Sequence, residues 1–280
     1  MNMHRILGIG DNTIDTYVST QRQYPGGNAV NVAVLTRRLG ASSAYLGCVG
    51  NDPGGDLLRR SLLSEGVDTS RMRIREGGNA RTFIAHEGAD RRFLGSDPGV
   101  RSQYDLKEAD FEYAAGFDLA HTSIYSDMVG PLPRLRQEVG RTSFDYSNRW
   151  NADYLESTLP HVDLAFLSAP DLDARACKRL LDRSIELGAK IAVVTRGSGG
   201  AIAADGNSIH MQGVVACELV DTLGAGDAFI SAFLLAHLEG QDLPGCLKAG
   251  AEFAAEACGW LGGFGHGEAW IGDSRAWPAK

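Results

Sequence analysis

Two aspartates enclose a Gly-Ala-Gly turn in residues 221–229, DTLGAGDAF, and an apolar run follows at once. A turn of this kind ahead of a helix presents backbone N–H groups that lack helical partners. Together with the helix dipole they make an anion site. The amides concerned are those of Gly224, Ala225 and Gly226, and Asp227 stands at the same end. A carboxylate there suits a reaction in which a hydroxyl loses its proton while negative charge builds on a neighbouring phosphoryl group. Asp221 has two readings, a Mg²⁺ ligand acting through water or a residue that orders the loop. The plainer alternative for the whole motif is a helix capped by Thr222 or Asp227. Two acids flanking the turn, between a strand-like segment (217–220) and a fully apolar helix, favour chemistry.

More candidates lie near the N-terminus. Asp15 follows the first strand-like run in GDNTIDTY, close to Asp11 and Asn12, which favours ligand binding over a surface acid. Asn28 and Asn31 sit one helical turn apart at a helix start, where capping is an equal alternative. A site rich in Asp and Asn suits a polyhydroxyl ligand, and an acid within it can pair with an amine.

The elements that must position these groups alternate. RILGIG (5–10), AYLGCVG (44–50), FDLAHT (117–122), TSFDY (142–146), DLAFLS (163–168) and KIAVVT (190–195) read as strands. Helical periods fill 29–40, 55–66, 131–138, 173–187, 227–239 and 244–258, the first two closed by Gly40 and Gly66. This order predicts an α/β fold, a doubly wound, mostly parallel sheet covered by helices on both faces. Ligands then sit outside the C-terminal strand ends. Residues 11–24 and 79–94 break the rhythm with strand-like alternation, the second with a polar turn near Gly88 to Asp90, and predict a small projecting sheet. Arg81, Arg91 and Arg92 within it read as solvated charges. No repeat or long linker divides residues 1–280, which read as a single domain. The Gly-rich tail 262–280 either packs on the body or hangs loose.

A net charge of −8 offers no basic surface for nucleic acid or anionic lipid. The five cysteines have no C-x-x-C spacing and the seven histidines no H-x-x-x-H pair, so neither a disulfide framework nor a metal box is expected. The N-terminal apolar run is too short for a signal peptide, and no stretch has the length of a membrane span. The expectation is a cytoplasmic protein.

DTLGAGDAF resembles the C-terminal signature of the ribokinase-type carbohydrate kinases (the phosphofructokinase-B family). GGNAVNVAVLTRRLGASSAYLGCVGNDPGGDLLRRSLLSEGVDTSRM (26–72) resembles their N-terminal signature. The resemblance implies a three-layer ribokinase-like fold, ATP and Mg²⁺, a monovalent cation in some relatives, and a lid that often builds a homodimer. It makes Asp227 the base and gives the amides of Gly224, Ala225 and Gly226 to the transferring phosphoryl group. Asp15, Gly26, Gly27 and Asn31 would hold sugar hydroxyls, with Asn28 and Asp11 as neighbours. TRGSGG (195–200) follows a strand as the family's nucleotide loop does, so Thr195, Gly197 and Gly200 would border ATP, joined by Thr222, Gly224 and Gly226. FDYSNR (144–149) resembles an Asp-x-Asn-x-Arg element, matched at Asp145 and Arg149, with Ser147 in place of Asn. LSAPDLD (167–173) lacks the Asn-x-x-Glu that relatives use near Mg²⁺, with Ser168 for the Asn and Asp171 or Asp173 as substitutes.

Within that family the chain is similar to the fructoselysine 6-kinase branch, which implies phosphorylation of the 6-hydroxyl of a fructosamine. Fructokinase, ribokinase and ketodeoxy-sugar kinase are alternatives. A Rossmann dehydrogenase would need Gly where Thr13 stands and a helix after it. A non-catalytic sugar sensor would have no use for Asp227.

Overall fold

The computed structural model describes residues 3–87 and 90–272. In chain order its first half contains β1 (Arg5–Gly10), β2 (Thr13–Tyr17), β3 (Arg22–Gly26), α1 (Asn28–Arg38), β4 (Ser42–Gly50), α2 (Pro53–Ser64), β5 (Arg73–Arg75), β6 (Arg81–Glu87) and β7 (Asp90–Asp97). Then come α3 (Glu108–Ala114), β8 (Leu119–Ser123), α4 (Leu132–Glu138), β9 (Thr142–Asp145), α5 (Ala152–Thr158), β10 (Leu164–Ser168), α6 (Ala174–Glu186) and β11 (Ile191–Thr195). The chain closes with β12 (Ala201–Ala204), β13 (Ile209–Gln212), α7 (Ala225–Leu238), α8 (Leu243–Ala257) and β14 (Glu268–Ala269).

Among the described residues nine strands form the main sheet, in the order β13-β12-β11-β10-β9-β8-β1-β4-β5. Neighbours from β5 to β11 are parallel, and β12 and β13 return antiparallel. The sheet is apolar on both faces, as strands between two helical layers must be. Leu7 and Ile9 of β1 pack with Phe111, Leu132, Leu155 and Leu181 from α3 to α6 on one side. Ile6 packs with Phe229, Phe233 and Leu247 of α7 and α8 on the other.

Helix α7 carries no side-chain cap, its N-cap being Gly224. A missing cap costs about 1 kcal/mol, whereas burying Phe229, Phe233 and Leu234 contributes about 1.5–3 kcal/mol each. Packing therefore holds the helix, and its first turn stays open at the sheet edge.

A second sheet follows the order β14-β3-β2-β6-β7 and projects over the C-terminal strand ends. The segment 11–24 is thus two strands rather than one, and the turn at Gly88 lies outside the described residues. Arg81 is not a solvated charge. Its Nη1 donates to Thr16 Oγ1 and to Gln23 Oε1, both at 2.7 Å. The tail packs at β14, where Glu268 pairs with Gln23 of β3, while Ile271 is exposed. The strand expected at 217–220 does not form. That segment has no sheet neighbour among the described residues, and its amides at Val220 and Asp221 donate to Cys258 O at 2.8 and 3.1 Å. Leu219 is accordingly 56% exposed. No helix among the described residues is long and apolar enough to cross a membrane.

Candidate active site

The C-terminal ends of β1, β8, β9, β10 and β11 open into a cleft of about 840 Å³, which the small sheet covers with Thr82 and Phe93 to Ser96. Asp11, Asp15, Gly27, Asn28, Asn31, Thr195, Gly224, Gly226 and Asp227 all line it. Residues from both ends of the chain are therefore brought together. Gly197, Gly200 and Thr222 are not in its lining, and Ala225 is set one step behind Gly224 and Gly226 at the start of α7.

Local geometry explains the two N-terminal glycines. Gly27 has φ +108°, and a Cβ there would lie 2.5 Å from Asn12 Cα. A Cβ on Gly26 would lie 2.3 Å from Asp15 Oδ2, so Gly26 makes room for that carboxylate. Asp15 itself, on β2, is 5% exposed and faces the cleft.

Asp11 has another task. Its Oδ1 accepts from Ser123 Oγ (2.7 Å), Ser126 Oγ (2.9 Å) and Ala29 N (3.2 Å), and its Oδ2 from Asn28 N (2.7 Å). Both oxygens accept from amides at the start of α1, so Asp11, in the cleft lining, also places Asn28. Asn28 Nδ2 then donates to Asp227 Oδ1 (2.7 Å) and Asp145 Oδ2 (2.9 Å). Asn31 Nδ2 donates to Asp227 Oδ2 at 2.5 Å. The two asparagines are not side-chain caps: they hold the aspartate of α7 in place.

Asp221 also departs from one of its expected roles. It is buried, and its carboxylate accepts from Tyr17 Oη (2.5 Å), Gly262 N (3.0 Å) and Leu223 N (2.9 Å). It ties the turn to the small sheet and to the 262 loop, which is the loop-ordering role, and it does not line the cleft. At the segment expected to serve Mg²⁺, Ser168 lines the cleft, but Asp171 is exposed and outside the lining. Asp173 caps α6 by accepting from Ala176 N at 2.7 Å. Among the described residues no group of three His, Cys, Asp or Glu side chains is arranged to hold a metal.

At the mouth of α7 the amide of Ala225 reaches Thr222 O at 3.3 Å, and the first intrahelical bond is Ala228 N to Gly224 O. Helical geometry leaves the amides of Gly224 and Gly226 without carbonyl partners, beside Asp227. A carboxylate and two amides without helical partners thus share one helix end.

A model of the family described as "pfkB family carbohydrate kinase" matches residues 6–263. The chain belongs to the pfkB family of carbohydrate kinases. It is 40% identical to the fructosamine kinase FrlD of Bacillus subtilis over 94% of each chain. It is 34% identical to the fructoselysine 6-kinase of Escherichia coli, over 93% of this chain and 99% of that one. In fold it is similar to the ribokinase of Arabidopsis thaliana, with a TM-score of 0.83 at 19% identity, covering 94% of this chain and 95% of the other.

In this carbohydrate kinase burial pushes the Asp227 carboxyl up to about 6, with nearby Asp11 adding to the rise while Asn31 and Asn28 hold it down. Asp145 is pushed up to about 7, first by burial and then by the charges of Asp227 and Asp11. Only ionised Asp227 can accept a proton, so kcat/KM should fall as pH drops through about 6, some two units above an ordinary aspartate. A profile of ADP release from about pH 5 to 9 checks this, and a flat acid side would remove Asp227 from the base role.

Ser147 stands out in the sequence as a departure from Asn, whereas His121, Ser123 and Ser126 do not stand out there as site residues. Ser147 stands at φ +49°, a conformation Asn tolerates better, with its amide on Asp145 Oδ1 at 2.8 Å and its Oγ accepting from Tyr125 Oη at 2.8 Å. His121, Ser123 and Ser126 come from HTSIYS, where β8 ends. A polar run at the C-terminal end of a predicted strand was the available signal.

Proposed function

We propose that this kinase transfers the γ-phosphoryl group of ATP to the 6-hydroxyl of fructoselysine or a related fructosamine. In the reaction Asp227 takes the hydroxyl proton. The hydroxyl oxygen forms its bond to the γ-phosphorus while the bond to the β–γ bridging oxygen breaks, and ADP leaves. The amides of Gly224 and Gly226 face the growing charge on the phosphoryl oxygens. Asp15 accepts from sugar hydroxyls. Asn31 lines the cleft beside Asp227, its Nδ2 holding that carboxylate.

The observation that carries the substrate class is Arg101. It lines the cleft with Thr13 and Asp15, and among the described residues its guanidinium forms no ion pair and makes a single hydrogen bond, 3.3 Å to Asn12 O. A neutral hexose has no need of a guanidinium, whereas an amino-acid conjugate brings a carboxylate for Arg101 and a protonated amine for the acidic wall. The names of the relatives point the same way.

Arg101→Ala should raise KM for fructoselysine by about 10–100-fold while changing that for fructose by less than about threefold. Equal losses on both substrates would give Arg101 a structural role only. ADP release across ketoses, aldoses and fructosamines tests the wider reading, and a preference for fructose or ribose over every fructosamine would overturn it.

A further inference from the structure

We propose that His121 is a positioning residue for the phosphoryl-transfer base, fixing the orientation of the Asn28 amide that bridges Asp145 and Asp227. The proposal rests on the reading of Asp227 as the base. His121 lies on β8 beneath the cleft and is 0% exposed. Its Nε2 is 2.8 Å from Asn28 Oδ1 and its Nδ1 is 2.9 Å from Ser143 Oγ.

The donors along this chain follow one from another. An amide oxygen turned towards the cleft would face two carboxylates, whereas the NH₂ group satisfies both. The oxygen of Asn28 therefore points down at His121, and Nε2 must carry the proton donated to it. Nδ1 is then the acceptor, and Ser143 Oγ–H is its donor. Burial holds the ring neutral, its pKa pushed down to about 3. Ser143 meets this tautomer by donating to Nδ1, the Nε2–H holds the Asn28 oxygen, and the amide gives each carboxylate one hydrogen bond.

A second arrangement has every donor reversed. A protonated Asp145 would donate to Asn28 Oδ1, Asn28 Nδ2 to His121 Nε2, and His121 Nδ1–H to Ser143. Asp227 would then lose its bond from Asn28 and become harder to ionise. The charged and titratable groups around the two carboxylates are Asp11 from the end of β1 and Tyr125 beyond β8, and Arg149 lines the same cleft. Asp15 and Arg101 lie on the side of the small sheet. The ring of His121 decides between the arrangements without adding charge of its own.

The test uses the full-length protein. Long-range ¹H–¹⁵N spectra of the histidine rings should show His121 as the Nε2–H tautomer, neutral down to about pH 5. An Nδ1–H ring, or a cationic one at pH 6.5, would overturn the proposal and leave the kinase reading untouched. On the activity side, His121→Leu should move the acid limb of kcat/KM up by about one pH unit, about tenfold less activity on that limb. His121→Gln, whose amide reaches the Nε2 position, should keep the limb where the wild type has it. If His121→Leu does not fold, Ser143→Ala is the milder variant: losing the donor to Nδ1 should raise the limb by about half a unit. A limb unmoved in Ser143→Ala and in a folded His121→Leu overturns the proposal. If the wild type has no limb near pH 6 while the ring is Nε2–H, the base assignment has failed and not the orientation of Asn28.

Discussion

Asp227→Asn should lower kcat by about 10²–10⁴ while ATP still binds. The substitution keeps the size of the side chain but removes its ability to take a proton. It also sets an amide against Asn28 and Asn31, which now donate to Asp227 Oδ1 and Oδ2 at 2.7 and 2.5 Å. One of those donors would lose its acceptor, at a cost of about 1–3 kcal/mol for a buried group. That is small beside the burial that anchors α7, so the helix and its open amides should persist. Nucleotide affinity by calorimetry should accordingly change little, and ADP release should collapse. Turnover within about threefold of wild type would show that the hydroxyl reacts without help from this carboxylate.

How far the sequence discloses such a site depends on which interactions are local. The Gly-Ala-Gly turn, the apolar α7 and the alternating elements were readable because helix periodicity and turn chemistry act within a few residues. The strand expected at 217–220 was not, because a strand exists only where a neighbour pairs with it, and none does here. Asp11 and Asp221 show the same limit for side chains. Each stands where a ligand group would be welcome, yet Asp11 caps α1 with Ser123 and Ser126, while Asp221 binds Tyr17 and Gly262. Nothing near Asp221 in sequence announces a tyrosine that is 204 positions away. His121 was hidden for the converse reason. A lone histidine in a strand gives no signal until the fold sets Asn28 above it and Ser143 beside it.

Gly224→Ala should lower kcat by about 10² or more and also reduce stability, and its origin is purely steric. Gly224 has φ +82°, a left-handed conformation that costs an alanine about 1–2 kcal/mol. The added Cβ would lie 2.7 Å from Gly263 Cα and 2.9 Å from Gly263 O, so the strain falls on backbone and cannot be relieved by turning a side chain. Gly263 is itself pressed against Asn31, where a Cβ would sit 2.6 Å from the amide. Pushing the 263 loop away shifts Asn31 from Asp227, so one methyl group disturbs both the amides of the turn and the proposed base. Two penalties of this size should lower Tm by roughly 4–8 °C. Gly226→Ala separates the causes. Its Cβ meets nothing within 4 Å and its φ is not positive, so Tm should hold. Its methyl would still project where the phosphoryl group has to approach, and KM for ATP should rise. If Gly226→Ala leaves ATP kinetics unchanged, the phosphoryl group does not pass over this turn, and the anion cradle lies elsewhere in the cleft.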